Sequence, residues 1–560
     1  MAMQPHTPTT NHENLPPLIL ALFDPACYGH AITQIQLIET HISWVLLTGE
    51  YAYKIKKPVN LGFLDFGTLA LRRQACADEV RLNRRLAPEL YLGVVAITGN
   101  TNAPHVDSQS ANPSTEEAIE YAVKMRQFSP DDTLDHLDER GELGTVQIDL
   151  LAARLARFHF GECHSAPPDS PWGEPDAIAQ PVKDNFRLLA ERLSAPAEIK
   201  LLEKLRDWSL AEHERLAPLM RERKRAGRIR ECHGDLHLGN LAWVNGELLI
   251  FDCIEFSPAL RWIDVISEVA FCFMDLLQTH PPPNLPLERG GAIVPSPSGG
   301  RLGGGWFEER AGRHRDLAMR FLNAWLEASG DYAGVALLRY YAVYRAMVRA
   351  KVAALRAVQG NDAEVSAYLQ LAEQLAQDSH AQNRRAQLWI THGLSGSGKT
   401  TLTQSLLEKR GMIRLRSDVE RKRLAGLDVL ARSGGAINEG LYTRETSRRT
   451  YAYLAQLAGG LLDAGWQIII DAAFLERWQR DLLREIAQRR NVPFRILDIR
   501  VDHATLRERV DLRNAQGKDA SEADLRVLQH QIETAQSLGE DELPEVTTVS
   551  GMDALAGLQG

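Results

Sequence analysis

The chain has 560 residues, of which 44% are hydrophobic and 24% charged, a composition typical of a globular protein with two or more domains. Its 64 lysines and arginines and 73 aspartates and glutamates give a net charge of −9, which argues against a general nucleic-acid or anionic-membrane binder. The six cysteines lack CxxC spacing, so we expect reduced thiols and a cytoplasmic location rather than a disulfide framework.

The first 16 residues are polar and contain proline, which predicts a disordered tail without the pattern of a signal peptide. The most apolar stretch, Val265 to Leu277, is short and is interrupted by Glu268 and Asp275. We therefore expect no membrane-spanning segment and no membrane partner.

Short β-runs open the first predicted domain, residues 17–380. Trp44 to Leu47 and Tyr51 to Ile55 flank the turn Thr48-Gly49-Glu50 and predict a β-hairpin, and Leu69 to Leu86 has helical spacing. Residues 100–118 are rich in Asn, Ser, Thr and Pro, which predicts a loop.

The rest of this domain is predicted to be mostly helical, with one β-rich island from Ile229 to Phe256. Residues 281–305 are rich in Pro, Gly and Ser, and they predict a flexible insertion within the helical region. The domain boundary is expected in the polar stretch Gln377 to Arg385.

Inside the β-rich island lies the segment HGDLHLGN, residues 233–240, followed by a β-run that ends in Asp252. An Asp in a short loop, an Asn five residues later and an Asp after the next strand form the catalytic layout of the protein-kinase fold. The pattern predicts Asp235 as the base that accepts the acceptor's proton, with Asn240 and Asp252 as Mg²⁺ ligands. A polar turn between strands is the alternative.

HGDLHLGN together with IFDCIEF resembles the aminoglycoside and choline phosphotransferases over about residues 40–360. The resemblance implies an α+β protein-kinase-like fold, with Lys54 as the nucleotide-binding lysine, Lys56 as its competitor and Glu79 as the ion-pair partner. It also implies that Asp264 supports the catalytic loop. No G-x-G-x-x-G loop precedes Lys54, so a non-catalytic, ligand-sensing module remains an alternative.

From residue 386 onward, β-runs alternate with helical patterns, which predicts an α/β P-loop NTPase domain with a parallel sheet. The first β-run leads into GLSGSGKT, which matches GxxxxGK[ST] in its strand–loop–helix context. Lys399 is predicted to reach the β- and γ-phosphates and Thr400 to ligate Mg²⁺. The nucleotide-binding residues expected in the loop are Gly393, Ser395, Gly396, Ser397, Gly398, Lys399, Thr400 and Thr401.

Three features after the P-loop favour a small-molecule kinase. Asp418 follows a β-run and is predicted to face the phosphoryl acceptor, while Asp471 ends an apolar strand and suits a water-mediated Mg²⁺ contact. Arg507, Arg509 and Arg513 share one helical stretch before a lid-like segment, Asn514 to Glu522, where arginines neutralise the transferring phosphate. The alternative for each of these residues is an ordinary charged side chain exposed to solvent, without a role in a site.

GLSGSGKT, RSDVERKRL and IIIDAAF resemble predicted P-loop kinases related to the zeta-toxin, gluconate-kinase and adenylate-kinase-like group, over about residues 387–550. The whole chain resembles bacterial bifunctional aminoglycoside-phosphotransferase-like/ATP-binding proteins. The resemblance implies ATP- and Mg²⁺-dependent phosphorylation of small hydroxylated acceptors, without naming them. A polynucleotide-end kinase is a further alternative, against which the net charge argues.

Overall fold

The computed structural model describes residues 15–60, 64–106, 117–278, 303–356, 363–378, 386–429, 431, 443–516 and 520–550. The predicted tail, residues 1–16, and the predicted insertion, residues 281–305, lie almost entirely outside these ranges. Residues 303–305 are a correction to the insertion, because they form the first turn of a long helix. The predicted lid lies only partly within the described residues.

A six-stranded antiparallel sheet of order β1-β2-β3-β6-β4-β5 forms the N-terminal lobe, with helix α2 packed on β4 and β6. The alternation of Leu, Val, Ile and Tyr along these strands buries one or both faces of the sheet. The elements are α1 Pro17–Ala21, β1 Gln36–Glu39, β2 Ser43–Leu47, β3 Tyr51–Lys56, α2 Leu69–Asn83, β4 Tyr91–Asn100, β5 Ala103–Val106 and β6 Glu120–Arg126.

The predicted hairpin is confirmed as β2 and β3, in which Leu47 pairs with Ala52. The predicted loop at residues 100–118 is wrong at its start, because β5 occupies Ala103 to Val106 and pairs with β4. The residues Asn100 to Asn102 form a turn, so the sequence pattern indicated a loop. The strand after this turn forms because it pairs with β4. Residues 107–116 lie outside the described ranges.

A helical lobe follows, and it carries two small antiparallel sheets, β7 with β10 and β8 with β9. Helix α8 is the centre of this lobe and packs against α9 and α10. The elements are α3 Leu134–Glu139, α4 Thr145–Arg157, α5 Pro175–Arg192, α6 Pro196–Arg225, β7 Ile229–Glu231, β8 Leu241–Val244, β9 Glu247–Ile250, α7 Pro258–Arg261, β10 Trp262–Asp264, α8 Val265–Leu277, α9 Gly303–Ser329, α10 Val335–Arg356 and α11 Ala363–Asp378.

A buried ionic triad ties α6 to the start of α8 and to the segment after α9. The Arg223 guanidinium donates to both carboxylate oxygens of Asp264 and of Asp331, at 2.7–2.8 Å, and all three side chains are almost completely buried. Asp264 also caps α8 by accepting from the Ile266 amide. The triad therefore fixes the start of α8 and strand β10, which pairs with β7 just before the segment 233–240.

Replacing Arg223 by alanine is expected to destabilise this lobe by about 3 kcal/mol or more, because two buried carboxylates lose their counter-charge. The measurement is the denaturant midpoint of the first unfolding transition, with tryptophan fluorescence as the probe. Arg225→Ala, at the exposed end of the same helix, is the matched control and should change stability by less than 1 kcal/mol. Equal midpoints for the two variants would contradict the structural role of the triad.

The C-terminal region contains a fully parallel five-stranded sheet of order β12-β13-β11-β14-β15, which confirms the predicted α/β class. Alternate residues of β11 face opposite sides: Trp389 packs in a cluster with Leu402 of α12, and Ile390 packs in the core that contains α14 and α15. The elements are β11 Leu388–His392, α12 Lys399–Arg410, β12 Ile413–Arg416, α13 Ser417–Leu424, α14 Arg444–Asp463, β13 Ile468–Asp471, α15 Arg477–Arg489, β14 Phe494–Ile499, α16 His503–Gln516, α17 Leu525–Thr534 and β15 Val546–Val549.

Helix α9 of the helical lobe runs along the C-terminal region and contacts α12 and β12. Its Asn323 side chain donates to the Met412 carbonyl at 3.0 Å and accepts from the Arg414 amide at 2.7 Å. The largest apolar core contains buried side chains from both regions. The two halves of the chain therefore share one buried interface.

Among the described residues, no helix is both long enough and apolar enough to cross a lipid bilayer.

Candidate phosphotransfer sites

The segment 233–240 forms a loop between β7 and β8, and the structure brings its predicted residues together. The Asn240 side-chain amide donates to the Asp235 carbonyl at 2.9 Å and to the Asp235 carboxylate at 3.3 Å. Asp252 follows β9, with a positive φ of 64° that is uncommon for a non-glycine residue and is typical of functional sites. Its amide bonds the Tyr91 hydroxyl at 3.1 Å.

Strand β3 brings two lysines to this loop. Lys54 Nζ lies 2.8 Å from Glu79 and forms an ion pair with Asp252, whereas Lys56 pairs with Glu79 and Glu255. Burial alone would lower the pKa of Lys54, but the carboxylates of Asp252, Glu79 and Glu255 outweigh it and raise that pKa well above its usual value. Lys54, rather than Lys56, is therefore the lysine that contacts the carboxylate predicted to hold metal.

Three buried charged side chains that sequence reasoning missed hold the backbone of this loop. Glu268 and Asp275 of α8 accept from the amides of Gly234 and Leu238, at 2.7 and 2.8 Å, and Arg345 of α10 donates to the Gly234 carbonyl at 3.1 Å. The signal was present, because acidic residues inside an otherwise apolar helix require buried partners. His233 donates through Nε2 to the Phe251 carbonyl, and its burial lowers its pKa to about 4, which keeps it neutral.

The cleft beside Lys54 is narrow. It encloses about 50 Å³, room for a few water molecules, between β2, β3, the Arg126–Phe128 segment and Phe251. The β1–β2 turn contains no glycine, and its Thr40 side chain bonds the Ser43 backbone at 2.9 and 3.1 Å. The amides of Ile42 and Ser43 are thus already engaged within the turn, and the cleft offers less room than a nucleotide fills.

The oxygen donors at this site suit Mg²⁺. The buried Asn240 Oδ1 has no hydrogen-bond partner among the described residues, and it lies in the loop that also carries Asp235. Amide and carboxylate oxygens are the protein ligands that hard divalent cations prefer. Asn240 and Asp252 therefore fit the predicted metal-binding role.

The second site is a cavity of about 1100 Å³ at the carboxyl ends of β11, β12 and β13. The P-loop turns there through Gly396 and Gly398, with φ of 85° and 93°, and Gly398 caps the P-loop helix α12. A Cβ on Gly396 would meet the Leu506 carbonyl at 2.9 Å, so glycine is required at this position. Of the predicted P-loop residues, the cavity is lined by Ser395, Gly396, Gly398, Lys399, Thr400 and Thr401.

Gly393 and Ser397 shape the loop behind this wall rather than line it. The Lys399 ammonium donates to the carbonyls of Gly393 and Leu394, at 2.9 and 2.7 Å, and lies 3.4 Å from the Ser397 hydroxyl. These loop oxygens accept the protons that phosphate oxygens would accept from a P-loop lysine when nucleotide is bound.

Burial lowers the pKa of Lys399 to about 8, although Asp471 and Asp418 oppose that effect. The charged form is therefore lost as the pH rises through about 8, and the affinity of this site for ATP should fall over the same range. Calorimetry from pH 6.5 to 9.5 on a Lys54→Ala variant, in which the other site is weakened, measures this. Lys399→Arg is the control, because a guanidinium keeps its charge and the profile should flatten. Identical profiles for lysine and arginine would contradict the assignment.

Two carboxylates, one at the end of β13 and one at the start of α13, complete the cavity. The Thr400 hydroxyl donates to Asp471 at 2.8 Å, an oxygen pair that suits Mg²⁺. Asp418, the second residue of α13, lines the same cavity 3.2 Å from Arg421. Of the arginines predicted on α16, Arg509 and Arg513 line the cavity, whereas Arg507 does not.

One residue of the helical lobe contacts the wall of this cavity from behind, and no local sequence pattern revealed it. Glu327, near the end of α9, accepts from Arg416 at 2.8 Å and from Arg414 at 3.1 Å. Burial would raise the pKa of Glu327, yet the two guanidiniums outweigh it and lower that pKa. Arg416 lines the cavity and approaches Asp471 at 3.8 Å, so the two regions jointly order this wall.

Two segments of the chain match family models. Residues 74–296 match the phosphotransferase enzyme family, and residues 388–538 match an AAA domain. An uncharacterized protein of Mycobacterium tuberculosis and one of Mycobacterium bovis are each 30% identical over 473 residues, 83% of this chain and 84% of the relative. The chain belongs to their family. Within it, this member joins a phosphotransferase-type domain to a P-loop domain.

Similar solved structures include two kinases, each resembling one region. A choline kinase from Cryptosporidium parvum is 11% identical and covers 62% of this chain and 89% of that chain, with a TM-score of 0.36. A gluconokinase from Sinorhizobium meliloti is 21% identical and covers 32% and 89%, with a TM-score of 0.23. The two family matches show that this family member is an ATP-dependent phosphotransferase, as the resemblance of its motifs implied.

Proposed function

We propose that the chain is a two-site kinase in which each domain transfers the γ-phosphate of ATP to a hydroxyl of a small acceptor. The observation that supports it best is the large cavity, where Lys399, Thr400, Asp418 and Asp471 meet around one space. Lys399 is the cation that binds phosphate, and Thr400 and Asp471 are oxygen ligands for a metal. Asp418 is a second carboxylate, separate from those two ligands. Kinases of both folds need these three parts.

At the P-loop site, Lys399 and the loop amides hold the β- and γ-phosphates, and Asp418 orients the acceptor hydroxyl. The acceptor oxygen forms a bond to the γ-phosphorus while the bond to the β,γ-bridging oxygen breaks, and ADP leaves with that electron pair. The acceptor proton passes to the Asp418 carboxylate. Arg509 and Arg513 neutralise charge on the transferring group.

At the kinase-like site, Asp235 accepts the proton of the attacking hydroxyl and Lys54 holds the phosphates, with Glu79 keeping the lysine in place. Mg²⁺, when bound at either site, neutralises charge on the phosphate oxygens. Asn240 and Asp252 would hold the ion here, and Thr400 and Asp471 would hold it at the other site. Movement of Lys54 from Asp252 to the phosphates would free that carboxylate for the metal.

The test is transfer of labelled γ-phosphate to a panel of polyols, amino alcohols, sugars and hydroxy acids. Each product should disappear in one of two variants, Asp235→Asn or Asp418→Asn, which assigns it to a domain. A panel in which both variants keep every product would refute the proposal.

A second candidate function has support from the closed cleft. The direct ion pair between Lys54 and Asp252 and the 50 Å³ space both suit a domain that senses a ligand without transferring phosphate. In that case the Lys399→Ala protein, which retains only the kinase-like site, should show no transfer that depends on Asp235.

A further inference from the structure

The P-loop cavity is rich in arginines, and some of them pair neither with a carboxylate nor with the expected position of the nucleotide. Seven arginines line it, and three of them already face carboxylates at 3.2 Å or less. Those three pairs are Arg416 with Glu327, Arg421 with Asp418 and Arg526 with Asp524.

Two further arginines lie on α16, above the P-loop. Arg509 Nη1 is 3.8 Å from the position that a Cβ would take on Gly398, and Arg513 donates to the Ala523 carbonyl at 2.8 Å. Arg509 is thus placed for the triphosphate, and Arg513 is engaged by a backbone carbonyl.

Arg444 and Arg448 remain. They lie on the first two turns of α14 and, with Ser447 and Tyr451, form a single helix face at spacings of three and four residues that lines the cavity. Both arginines are exposed, and neither forms an ion pair or hydrogen bond with a residue in the described part of the chain. Within the described ranges, these two positive charges have no carboxylate partner.

The same helix face borders the predicted base. Tyr451 is buried against Phe474 and Trp478, with ring centroids 5.2 and 5.5 Å away, and α14 packs on α13, which carries Asp418. The space beside Asp418 therefore continues along α14 toward the two arginines.

We propose that the acceptor of the P-loop domain carries a phosphate or carboxylate group in addition to its reacting hydroxyl, and that Arg444 and Arg448 bind that anion. The inference rests on the proposed kinase function of this domain. Arginine suits this role because its planar donors bind either anion in a bidentate manner. The neutral wall of Tyr451 and Trp478 holds the carbon skeleton between the two polar ends.

The test compares matched acceptors in ATP-dependent transfer: glycerol with glycerate and glycerol 3-phosphate, and glucose with gluconate and glucose 6-phosphate. The anionic member of a pair should be the better substrate. The double variant Arg444→Ala/Arg448→Ala should raise its KM at least about tenfold, with the KM for ATP within about twofold. The double variant Arg444→Lys/Arg448→Lys should have a KM between those of the wild type and the double alanine variant. Arg449→Ala, at the next position of α14 and outside the cavity, should behave as wild type.

A second measurement needs no acceptor. Inorganic phosphate should bind the full-length protein saturated with Mg²⁺ and a non-hydrolysable ATP analogue, at least about tenfold more tightly than it binds the double alanine variant. Equal phosphate binding by the two proteins, absent binding in wild type, or neutral acceptors used as well as anionic ones would overturn the proposal. Preferred transfer to 5′-hydroxyl oligonucleotides would overturn it in favour of a nucleic-acid acceptor. Failure of the kinase function itself is separate, and would appear as transfer unaffected by Lys399→Ala and Asp418→Asn.

Discussion

Replacing Lys399 by alanine is expected to lower phosphoryl transfer at the P-loop site by about a thousandfold or more. The ammonium is half-buried in the cavity wall, and its hydrogen bonds to described residues go to loop carbonyls and the Ser397 hydroxyl. Its removal therefore leaves the developing charge on the γ-phosphate without its nearest cation. Helix α12 should stay folded, because its buried side chains Leu402, Leu406 and Leu407 are unchanged in this variant. ADP formation in an Asp235→Asn background measures the effect.

The matched control is Lys409→Ala, at the far end of α12, where the lysine is more than half exposed and pairs with Asp316. This variant should retain full activity. A Lys399→Ala protein that keeps more than a tenth of the wild-type rate would show that the large cavity is not a phosphotransfer site.

Replacing Asp235 by asparagine is expected to lower transfer at the kinase-like site by about a hundredfold to ten-thousandfold. Asparagine has the shape of aspartate and can keep a contact with Asn240, but it cannot take the acceptor proton. The measurement is transfer to the acceptor found in the panel, in a Lys399→Ala background that silences the other site.

Asp169→Asn, at an exposed position, is the control and should have no effect. A loss of activity with unchanged thermal stability supports the role of Asp235 as base. Wild-type turnover by the Asp235→Asn protein would show that Asp235 is not the base. If the domain transfers no phosphate even with Asp235 present, the result would favour ligand sensing.

The sequence predicted the parts of each site that lie close together along the chain. Gly398, Lys399 and Thr400 belong to one turn, and Asp235 and Asn240 to one loop, so their spacing alone specifies the geometry. Both fold classes were also predictable, since the alternation of strands and helices after residue 386 differs from the mostly helical pattern before it.

The rest depends on contacts between distant segments. The sequence analysis interprets Glu268 and Asp275 only as charges that exclude a membrane span, whereas they accept from the amides of the loop 233–240. Glu327 reaches Arg416 across the interface between the domains, 89 residues along the chain. The edge strands β5 and β15 are four residues each, too short to produce a periodic signal without their partners.

The most direct test of two working sites is calorimetry of ATP binding with Mg²⁺, on the wild type and on Lys399→Ala. We expect two nucleotides per chain in the wild type and one in the variant, with the remaining site removed by Lys54→Ala. A single wild-type site that vanishes with Lys399→Ala would contradict the account, because the kinase-like domain would then bind no nucleotide.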